Sequence, residues 1–475
     1  MKSKKSSLAL LFAAVAVVAA AFGTATSNAS SPVRKEVTFS KDVAPIFFKD
    51  CASCHRPNDI APMSLLTFKE ARPWARSIKE KVVTREMPPW SPDPKVGEFA
   101  NDHRLSQKDI DTIVAWVDQG AKEGNPKDLP KMPEIAKGGW EIGKPDVVLS
   151  MAEEYTVEVN APDNYINFFI PTNFKEDKWI QAAEVHPGNK RVVHHVIAFI
   201  QTPEMIARMK AAGGRRRGAD RSPGIFYKDG TLSRVKMDAP VVDDGCNAPK
   251  GAGGGGNGDN GEGGGSLLAG FAPGMGPSVW TPGTAKKVPA GSVLMFQMHY
   301  SSFRGQLAEA QKDRTEIGLI FAKEPPAKAV HTMGIMNALF KIPAGAEHHE
   351  VTACQTVQTD IQLVSYMPHM HLRGKDMKYE VVYPDGKRET LLWVPKFNFN
   401  WQTQYYLKKP VMIPKGSKLI ITAHFDNSKK NKYNPSPDKD IRWGDPTYDE
   451  MMIGWVDFMI PNQTKSDVAA KASGK

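Results

Sequence analysis

Two histidines of this chain stand one residue apart, in the stretch YMPHMHLRG at positions 366–374. Successive side chains of a β-strand point to opposite faces, so His369 and His371 on a strand would share a face and could reach one metal ion. An exposed strand can also carry such a pair without any chemical role. The pair therefore makes a metal site a hypothesis that other donors must support.

Further metal donors occur elsewhere in the chain. His194 and His195 stand in VVHHVIAF, His299 stands in FQMHYS, and PTYDEMMIGW supplies the thioethers of Met451 and Met452. Adjacent histidines on a regular strand face opposite ways, so His194 and His195 share an ion only at a strand end, at a bulge or through different ring nitrogens. Imidazoles suit zinc, copper and iron, whereas a thioether ligand selects a soft ion such as Cu(I).

A second kind of chemistry is indicated by DCASCHRPN, which places Cys51, Cys54 and His55 in the C-x-x-C-H pattern of covalent haem attachment. Two thiols at this spacing can form thioethers with both haem vinyl groups, and the histidine that follows can ligate the iron. A zinc or redox C-x-x-C is the alternative interpretation. The chain has only four cysteines and no second C-x-x-C to complete a zinc site, which favours one covalent haem c.

Helical signals surround the haem motif. Ser40 is predicted to cap an apolar-periodic segment that leads into the motif, and Ser106 is predicted to begin a helix that Gly120 ends. Residues 36–125 resemble a small class I cytochrome c domain, which implies an all-α fold for this part of the chain.

The cytochrome resemblance implies a methionine as the sixth iron ligand, on the loop before the last helix. REMPPW places Met87 there, with two prolines after it. Met63 and His103 are the alternatives, and both are expected to be packing or surface residues. Ligation by His55 and Met87 favours the ferrous state relative to two histidines, so the haem is expected to carry electrons rather than to bind oxygen.

Length and composition predict a multidomain globular protein. The chain has 475 residues, of which 41% are apolar and 24% charged. Beyond a Pro-, Gly- and Lys-rich linker, short β-branched and aromatic runs alternate with turns, which predicts two packed all-β domains. The predicted divisions are a leader at 1–29, a cytochrome c domain at 36–125, a linker at 126–145, β-sandwiches at 146–330 and 331–462, a glycine-rich insertion at about 247–266, and a disordered tail at 463–475.

Four motifs in order, HHVIAF, QMHYS, HMHLRG and DEMMIGW, resemble the type II copper-dependent monooxygenases, the family of peptidylglycine α-hydroxylating and dopamine β-monooxygenases. The resemblance covers about residues 146–462 apart from the glycine-rich insertion. It implies two copper ions in two jelly-roll-like sandwiches that face one cleft, and hydroxylation of a C–H bond of a small substrate with O₂. The residues it implies are His194, His195 and His299 for an electron-storing copper, His369, His371 and Met451 for the copper where O₂ and substrate meet, and Gln297 as a match to the family's Q-x-H-Y.

Departures from that family concern the substrate. The peptide-amidating branch has an arginine where this chain has Met367 and a tyrosine where it has Trp455. An arginine could grip a substrate carboxylate, whereas methionine and tryptophan present apolar surface. An apolar or aromatic substrate is therefore expected rather than a peptide acid.

The remaining cysteines and histidines are assigned to structure. Cys354 matches a family half-cystine and Cys246 is its only possible partner, but spacing does not decide whether they bond. His424 and Met452 occupy positions that resemble another family disulfide, which favours packing there rather than a third metal site. Four more histidines are expected to be structural or surface residues, namely His186, His331, His348 and His349.

The first residues predict export. A Lys-rich start, an apolar run from Leu8 to Phe22 and small residues up to Ala29 have the layout of a cleaved secretory leader. The run is short for a bilayer span, so the protein is expected in the periplasm or outside the cell with no stable membrane span. The net charge of +10 is spread along the chain and its one tight cluster, residues 215–217, lies beside glycines, so no nucleic-acid partner is expected.

Two functions fit these observations. In the first, an exported copper monooxygenase receives electrons from an external donor through its attached haem, because the related eukaryotic enzymes use ascorbate and carry no haem. In the second, a non-catalytic electron-transfer or copper-binding protein docks a redox partner. The thioether of Met451 favours the enzyme, because pure scaffolding needs no open thioether-ligated site.

Overall fold

A computed structural model of the chain describes residues 36–57, 59–133, 139–159, 164–211, 266–301, 307–444 and 446–463. The predicted leader, Cys246, most of the glycine-rich insertion and nearly all of the predicted tail lie outside these ranges. The described chain consists of a short helical unit followed by a long series of strands, so the predicted mostly-β architecture is confirmed. No helix within these ranges is both long and apolar enough to cross a bilayer.

The helical unit packs around Trp116. The ring centroids of Phe39 and Phe47 lie 6.0 and 6.3 Å from that of Trp116, and the other apolar side chains of the unit close around them. The helical elements are a π-turn at Phe39–Val43, α1 at Ala44–Asp50, α2 at Phe68–Ala71, a 3-10 turn at Arg72–Trp74, α3 at Ala75–Val83, α4 at Gln107–Asp118 and a 3-10 turn at Pro126–Asp128.

Of the two predicted helix N-caps, Ser106 is right and Ser40 is wrong. The Ser106 hydroxyl accepts from the amide of Asp109 at 3.1 Å and so caps α4. The predicted cap at Ser40 is wrong, because Ser40 is buried inside the π-turn and Thr38 precedes the first helical residue. The Thr38 amide donates to a carboxylate oxygen of Asp42 at 2.9 Å, which fixes the helix start two residues earlier than the serine suggested.

The first β unit is a sandwich of two sheets. One sheet has the strand order β1-β11-β4-β8-β12, with β7 beside β4, and the other has the order β3-β9-β5-β6. Their inner faces form one apolar core. The elements are β1 at Val147–Ser150, β2 at Tyr155–Val157, β3 at Asn164–Pro171, β4 at Lys178–His186, β5 at Val193–Gln201, α5 at Pro203–Ala211, β6 at Ser266–Phe271, β7 at Ser278–Val279, β8 at Thr284–Val288, β9 at Val293–Tyr300, β10 at Gln311–Asp313, β11 at Glu316–Phe321 and β12 at Lys328–Ala329.

The second β unit repeats this plan. Its sheets have the orders β13-β22-β16-β19 and β15-β20-β17-β18, and a second apolar core lies between them. The strands are β13 at His331–Met336, β14 at Lys341–Ile342, β15 at His349–Thr356, β16 at Ile361–Met370, β17 at Gly374–Val382, β18 at Arg388–Val394, β19 at Tyr405–Ile413, β20 at Lys418–Phe425, β21 at Ile441–Arg442 and β22 at Met452–Met459.

A buried ion pair joins the two β units. Lys286 Nζ on β8 lies 3.0 Å from Asp457 Oδ1 on β22, and both side chains are nearly inaccessible. The ammonium also donates to the carbonyl of Leu267 at 2.8 Å and to the hydroxyl of Thr332 at 2.6 Å. Burial lowers the pKa of Lys286, and the carboxylate opposes that shift. Because a buried ammonium needs such partners, these bonds hold the units in one relative position.

The helical unit adds its connecting chain to the outermost strand of the second β unit. Phe99 forms a β-bridge with Leu407 on β19, and the amide of Ala100 donates to the carbonyl of Tyr406 at 2.7 Å. Asn101 extends the contact, because its side-chain amide donates to the carbonyl of Gln404 at 2.7 Å. The stretch between α3 and α4 is therefore fixed on the β framework.

Candidate metal centres

The first histidine cluster consists of His194, His195 and His299. His195 on β5 pairs with His299 on β9, and the register shifts between Val193 and His195. Such a shift places an extra residue in β5 at this point of the ladder. The side chains of His194 and His195 therefore need not point to opposite faces of the sheet. A bulge at the start of β5 therefore lets adjacent histidines face the same space.

The nitrogens of this cluster have metal-site spacing. His195 Nδ1 lies 3.2 Å from His194 Nδ1 and 3.4 Å from His299 Nδ1. Two imidazole nitrogens bound to one ion at about 2.0 Å lie roughly 3.3–3.5 Å apart in a tetrahedral or trigonal arrangement. The three rings are at most 5% exposed. Burial, followed by repulsion from the other two imidazoles, lowers the pKa of His195 well below its usual value and keeps it in the neutral form that binds metal.

Aromatic and amide groups surround the first cluster. Tyr165 stacks on His299 with 4.3 Å between ring centroids, and Phe399 stacks on His194 at 4.9 Å. The amide oxygen of Asn400 lies 3.5 Å from His194 Nε2. An amide oxygen only accepts, so this contact places the proton on Nε2 and leaves Nδ1 as the metal-binding nitrogen.

The second histidine cluster consists of His369 and His371 at the end of β16. Its rings lie 5.3 Å apart at 89°, and Met370 between them turns into the apolar core, as the H-x-H pattern predicts for a strand. His369 Nδ1 donates to the side-chain oxygen of Gln402 at 2.6 Å, and His371 Nδ1 donates to the carbonyl of Asp449 at 3.3 Å. Both acceptors are oxygens without protons, so each histidine keeps Nε2 for a ligand.

Strand register brings Met451 to the second cluster. The last pairs between β16 and β22 are His369 with Ile453 and Met370 with Met452. Continuing the ladder by one position sets Met451 opposite His371. Burial lowers the pKa of His369 to about 4 and that of His371 well below its usual value, so both rings are neutral at pH 7.

The Glu450 side chain accepts hydrogen bonds from backbone amides around the second cluster. One of its carboxylate oxygens accepts from the amides of His371 and Met451 at 2.8 and 3.2 Å, and the other accepts from the amide of Arg373 at 2.6 Å. Burial raises the pKa of Glu450 to about 8, while these amides and the Arg373 charge act in the opposite direction. The Arg373 side chain is itself buried and donates to Asn427 at 2.9 Å.

The two clusters face each other across the linking segment, residues 395–404 between β18 and β19. The Phe399 ring that stacks on His194 also meets the His371 ring edge-on, with 6.0 Å between centroids. Gln402 of the same segment bonds His369, and its amide donates to the carbonyl of Phe399 at 3.2 Å. One short stretch therefore positions a histidine of each cluster.

An apolar patch lies where the β units meet. Phe199 and Met295 from the first unit pack with Met367 and Trp455 from the second, and the Phe199 and Trp455 rings lie 6.3 Å apart. Gln297, predicted from the Q-x-H-Y match, is half-buried on β9 and shares the face of His299 two residues away. The structure therefore puts Gln297 on the strand of the first cluster.

The C-x-x-C-H motif forms one turn after α1. The amides of Cys54 and His55 donate to the carbonyl of Cys51 at 3.2 and 2.9 Å, and both thiols are free. His55 Nδ1 donates to the carbonyl of Met63 at 3.1 Å, which leaves Nε2 for a ligand. Met87 lies beyond α3, and its amide donates to the carbonyl of Lys81 at 3.1 Å, so its hydrogen bond joins it to α3 rather than to the motif.

An ion pair connects the C-x-x-C-H turn to the first histidine cluster. Asp59 lies 2.8 Å from Arg56 Nε and 2.6 Å from Lys190 Nζ, and its side chain is only 6% exposed. Lys190 stands four residues before His194. The neighbouring Lys190 and Arg56 charges lower the pKa of Asp59 against the effect of its burial.

Several functional candidates were missed by sequence reasoning. Glu450, Gln402 and Phe399 each contact a cluster histidine or its backbone and Arg373 bonds Glu450, yet sequence reasoning assigned a role to none of the four. The acidic pair before Met451 and the arginine after HMHL were the available signals. The open question about Cys354 is answered in part, because it is disulfide-bonded, while its partner lies outside the described residues.

Residues 327–471 match the family described as copper type II ascorbate-dependent monooxygenase, C-terminal domain. The matched range holds the whole second β unit, including the second histidine cluster. The protein is thus an oxidoreductase of the oxygenase type that carries a copper type II monooxygenase C-terminal domain. The match does not extend to the helical unit or to the strands of the first β unit before β12.

No curated protein matches the chain. Solved structures give only distant similarity. The major capsid protein P2 of bacteriophage PM2 is 9% identical with a TM-score of 0.24, covering 66% of this chain and 100% of that one. A xanthan lyase of Paenibacillus is 10% identical with a TM-score of 0.15, covering 70% and 29%. Similarity at these TM-scores supports no conclusion about this chain.

Proposed function

We propose that the protein is an exported copper monooxygenase that hydroxylates a C–H bond of a small apolar substrate with O₂ and takes electrons through a covalently attached haem c. The observation that carries the proposal is the pair of buried histidine clusters held face to face by the linking segment. The family match supports copper at the second cluster. The first copper, the haem, the substrate and the location of the protein are inferences from the residues.

The donors of both clusters fit copper. Three buried imidazoles at metal-ligand spacing suit an ion held by His194, His195 and His299. Two imidazoles and a thioether, from His369, His371 and Met451, suit a site that favours Cu(I). When bound, copper at these sites would supply electron storage and the activation of O₂.

Residues around the two clusters hold these donor atoms in position without a metal ion. Asn400 and Gln402 select which imidazole nitrogen carries the proton, and the Glu450 carboxylate holds the backbone amides of His371 and Met451 together. Tyr165 and Phe399 cover ring faces that water would otherwise reach. Such preorganisation is what a metal site needs for geometry and for a dry environment.

The residues of the C-x-x-C-H turn fit a haem c. Free Cys51 and Cys54 are available for two thioethers, and His55 is held through Nδ1 with Nε2 available for iron. The Met63 carbonyl accepts from His55, and the Met63 side chain packs against the core of the helical unit. Cys51, Cys54, His55 and Met87 would hold the haem, which would supply one-electron transfer when bound.

The Asp59–Lys190 ion pair supports electron transfer from the haem to the first histidine cluster. It ties the chain four residues after His55 to the chain four residues before His194. An external donor would then reduce the haem, and the first copper would receive the electron. The donor's identity is not fixed by this arrangement.

The substrate and the compartment follow from other residues. Met367 and Trp455 lie in the apolar patch between the β units, which supports an apolar or aromatic substrate rather than a carboxylate. The predicted leader and the C-x-x-C-H motif both support export to the periplasm or the medium, where covalent haem is attached.

Metal and haem counting on the full chain tests the proposal. We expect two copper ions and one haem per chain, with His299→Ala and His369→Ala each losing one copper and keeping the haem. His349→Ala, a half-buried histidine away from both clusters, is the matched control and should keep all three groups. The reduced wild type should consume O₂ with a panel of small hydrophobic compounds and place one ¹⁸O atom from O₂ in the product.

Two results would contradict the proposal. If the chain binds haem but no copper, it lacks the metal on which the proposed hydroxylation depends. A chain with two copper ions and one haem that hydroxylates no compound on a broad panel would instead be the non-catalytic electron-transfer protein.

A further inference from the structure

A third group of metal donors lies on the outer face of the sheet β15-β20-β17-β18. Strand register pairs Glu350 on β15 with His424 on β20, and His424 with Asp376 on β17, so these three form one row across the sheet. His348 precedes Glu350 by two residues and lies on the same side. The residue that follows the row on each strand, Val351, Met377 and Phe425, lies in the apolar core.

The polar atoms of this group converge. His424 Nδ1 lies 2.8 Å from an Asp376 carboxylate oxygen, and His424 Nε2 lies 3.3 Å from a Glu350 oxygen. The His348 ring stacks on the His424 ring with 4.0 Å between centroids. One donor atom from each of His348, Asp376 and His424 lies within 4.8 Å of the other two.

We propose that this group is a third metal site, separate from both copper centres, that takes a divalent transition ion such as Zn²⁺. The ligands are the donors that converge, a nitrogen of His348, a nitrogen of His424 and the Asp376 carboxylate, with Glu350 on the other nitrogen of His424. A carboxylate on the far nitrogen of a metal-binding histidine orients the ring and raises its basicity. Two imidazoles with a carboxylate form a donor set that zinc uses, and the two acidic groups balance the charge of the ion.

One ring must turn to admit the ion. The His348 and His424 planes are nearly parallel, at 7°, whereas an ion lies in the plane of each imidazole that binds it. His424 is fixed by Asp376 and is 19% exposed, but His348 is exposed and can rotate into solvent. Glu350 is 63% exposed, so its carboxylate can also adjust.

An ion here would act on the framework of the second histidine cluster. It would join the beginnings of β15 and β17 to the end of β20. Arg373 directly precedes β17, and its carbonyl accepts from the amide of Asp426, just beyond β20, at 2.8 Å. The site would therefore stiffen the strand ends that hold Arg373. This inference does not depend on the proposed hydroxylation.

The competing arrangement has no metal. His424 would be protonated and would donate to both Asp376 and Glu350, with His348 stacked on its ring. Zinc binding by the full chain separates the two arrangements, provided that the copper centres are filled first. Loading with Cu(I) under argon does this, because a soft ion prefers the imidazole and thioether sites to a site with a carboxylate.

The experiment is equilibrium dialysis of the Cu(I)-loaded protein against Zn²⁺, with zinc and copper counted per chain. We expect one zinc in the wild type with no copper displaced, at least tenfold weaker binding in His348→Ala and none in His424→Ala. His349→Ala is the matched control, because it lies next to His348 but pairs with Phe425, and it should bind zinc as the wild type does. Zinc should also raise the unfolding temperature of the wild type and of the control, but not that of His424→Ala.

Three outcomes would overturn the assignment. A wild type that binds no zinc would establish the hydrogen-bonded arrangement without metal. Zinc that displaces copper and persists in His424→Ala would lie in a copper centre. Equal loss of zinc in His349→Ala and His348→Ala would show that the donors on this face are not the ligands. Because copper is counted in the same samples, failure of the zinc site is distinguishable from failure of the copper centres.

Discussion

The two histidine clusters present opposite nitrogens and are built in opposite ways. In the first cluster, the Nδ1 atoms of all three histidines lie close together on strands of one sheet. A bulge on β5 and stacked aromatic rings fix their side chains. The second leaves Nε2 available at the end of β16, where side-chain and carbonyl acceptors hold Nδ1 and a buried carboxylate holds the backbone.

This difference predicts which substitutions disrupt each cluster. The first depends on the pairing of β5 with β9, which many backbone hydrogen bonds maintain. The second depends on three N–H groups that converge on one carboxylate, and on residues 33 to 79 positions away from the histidines that they hold. Single substitutions outside the ligands should therefore damage the second cluster far more than the first.

The largest expected effect separates the roles of the two clusters. Met451→Ala should keep most of its copper, because it removes only the weak thioether donor and leaves both imidazoles, but turnover should fall at least about 100-fold through weaker support of Cu(I). His194→Ala should lose the first copper and keep the second. Copper counting with oxygen uptake checks both, and equal copper loss in the two variants would contradict the division.

Glu450→Ala should be nearly as damaging, although Glu450 is no ligand. It leaves three buried backbone amides without an acceptor, so the free energy of unfolding should fall by about 3–5 kcal/mol. The second copper should be lost while the first remains. Urea unfolding and copper counting measure this, with exposed Glu309→Ala as the control. Loss of both coppers would show that the clusters do not fold independently.

Acid should destabilise the metal-free protein. The pKa of His369 is lowered to about 4 in the folded state from an ordinary value of 6.5, so the unfolded chain binds the proton more tightly. Stability should therefore fall as the pH falls from about 6.5 to 4, by about 3 kcal/mol for this group alone. Urea unfolding at a series of pH values measures the slope. His369→Gln should be less sensitive to pH, and an unchanged slope would contradict the assignment.

The smallest expected effect concerns the ion pair beside the first cluster. Lys190→Gln should leave copper and haem contents unchanged and lower the free energy of unfolding by only about 1–2 kcal/mol, because the buried Asp59 carboxylate keeps its bond to Arg56. Reoxidation of the reduced haem by O₂ plus substrate should slow several-fold, as stopped-flow absorbance would show. Unchanged reoxidation both here and in His194→Ala would remove the electron-donor role given to the haem.

Sequence reasoning identified the candidate ligands because their pattern is local. The H-x-H spacing on a strand, the need for a bulge at His194 and the β-branched runs all follow from the alternation of side chains within one strand. The start of the first helix was missed for a related reason. Ser40 has the residue type of a cap, but Asp42 satisfies the amide of Thr38 from inside the turn.

The residues that position the cluster histidines could not be predicted in the same way. Gln402 and Phe399 lie in a segment without regular structure, and Glu450 acts through its carboxylate on backbone amides more than 70 positions earlier. Such contacts depend on how two sheets and their loops pack, which the sequence of either segment does not contain. The row formed by Glu350, His424 and Asp376 likewise exists only once the register of three strands is set.

The pairing of Phe99 and Ala100 with β19 has a consequence for dissecting the protein. β19 is the outermost strand of its sheet, and an outermost strand without a neighbour offers its backbone N–H and C=O groups to other molecules. The chain from the helical unit occupies part of that ladder. A shortened protein that begins after residue 126 would uncover it, so concentration-dependent self-association is expected of the isolated β units even if their metal centres remain intact.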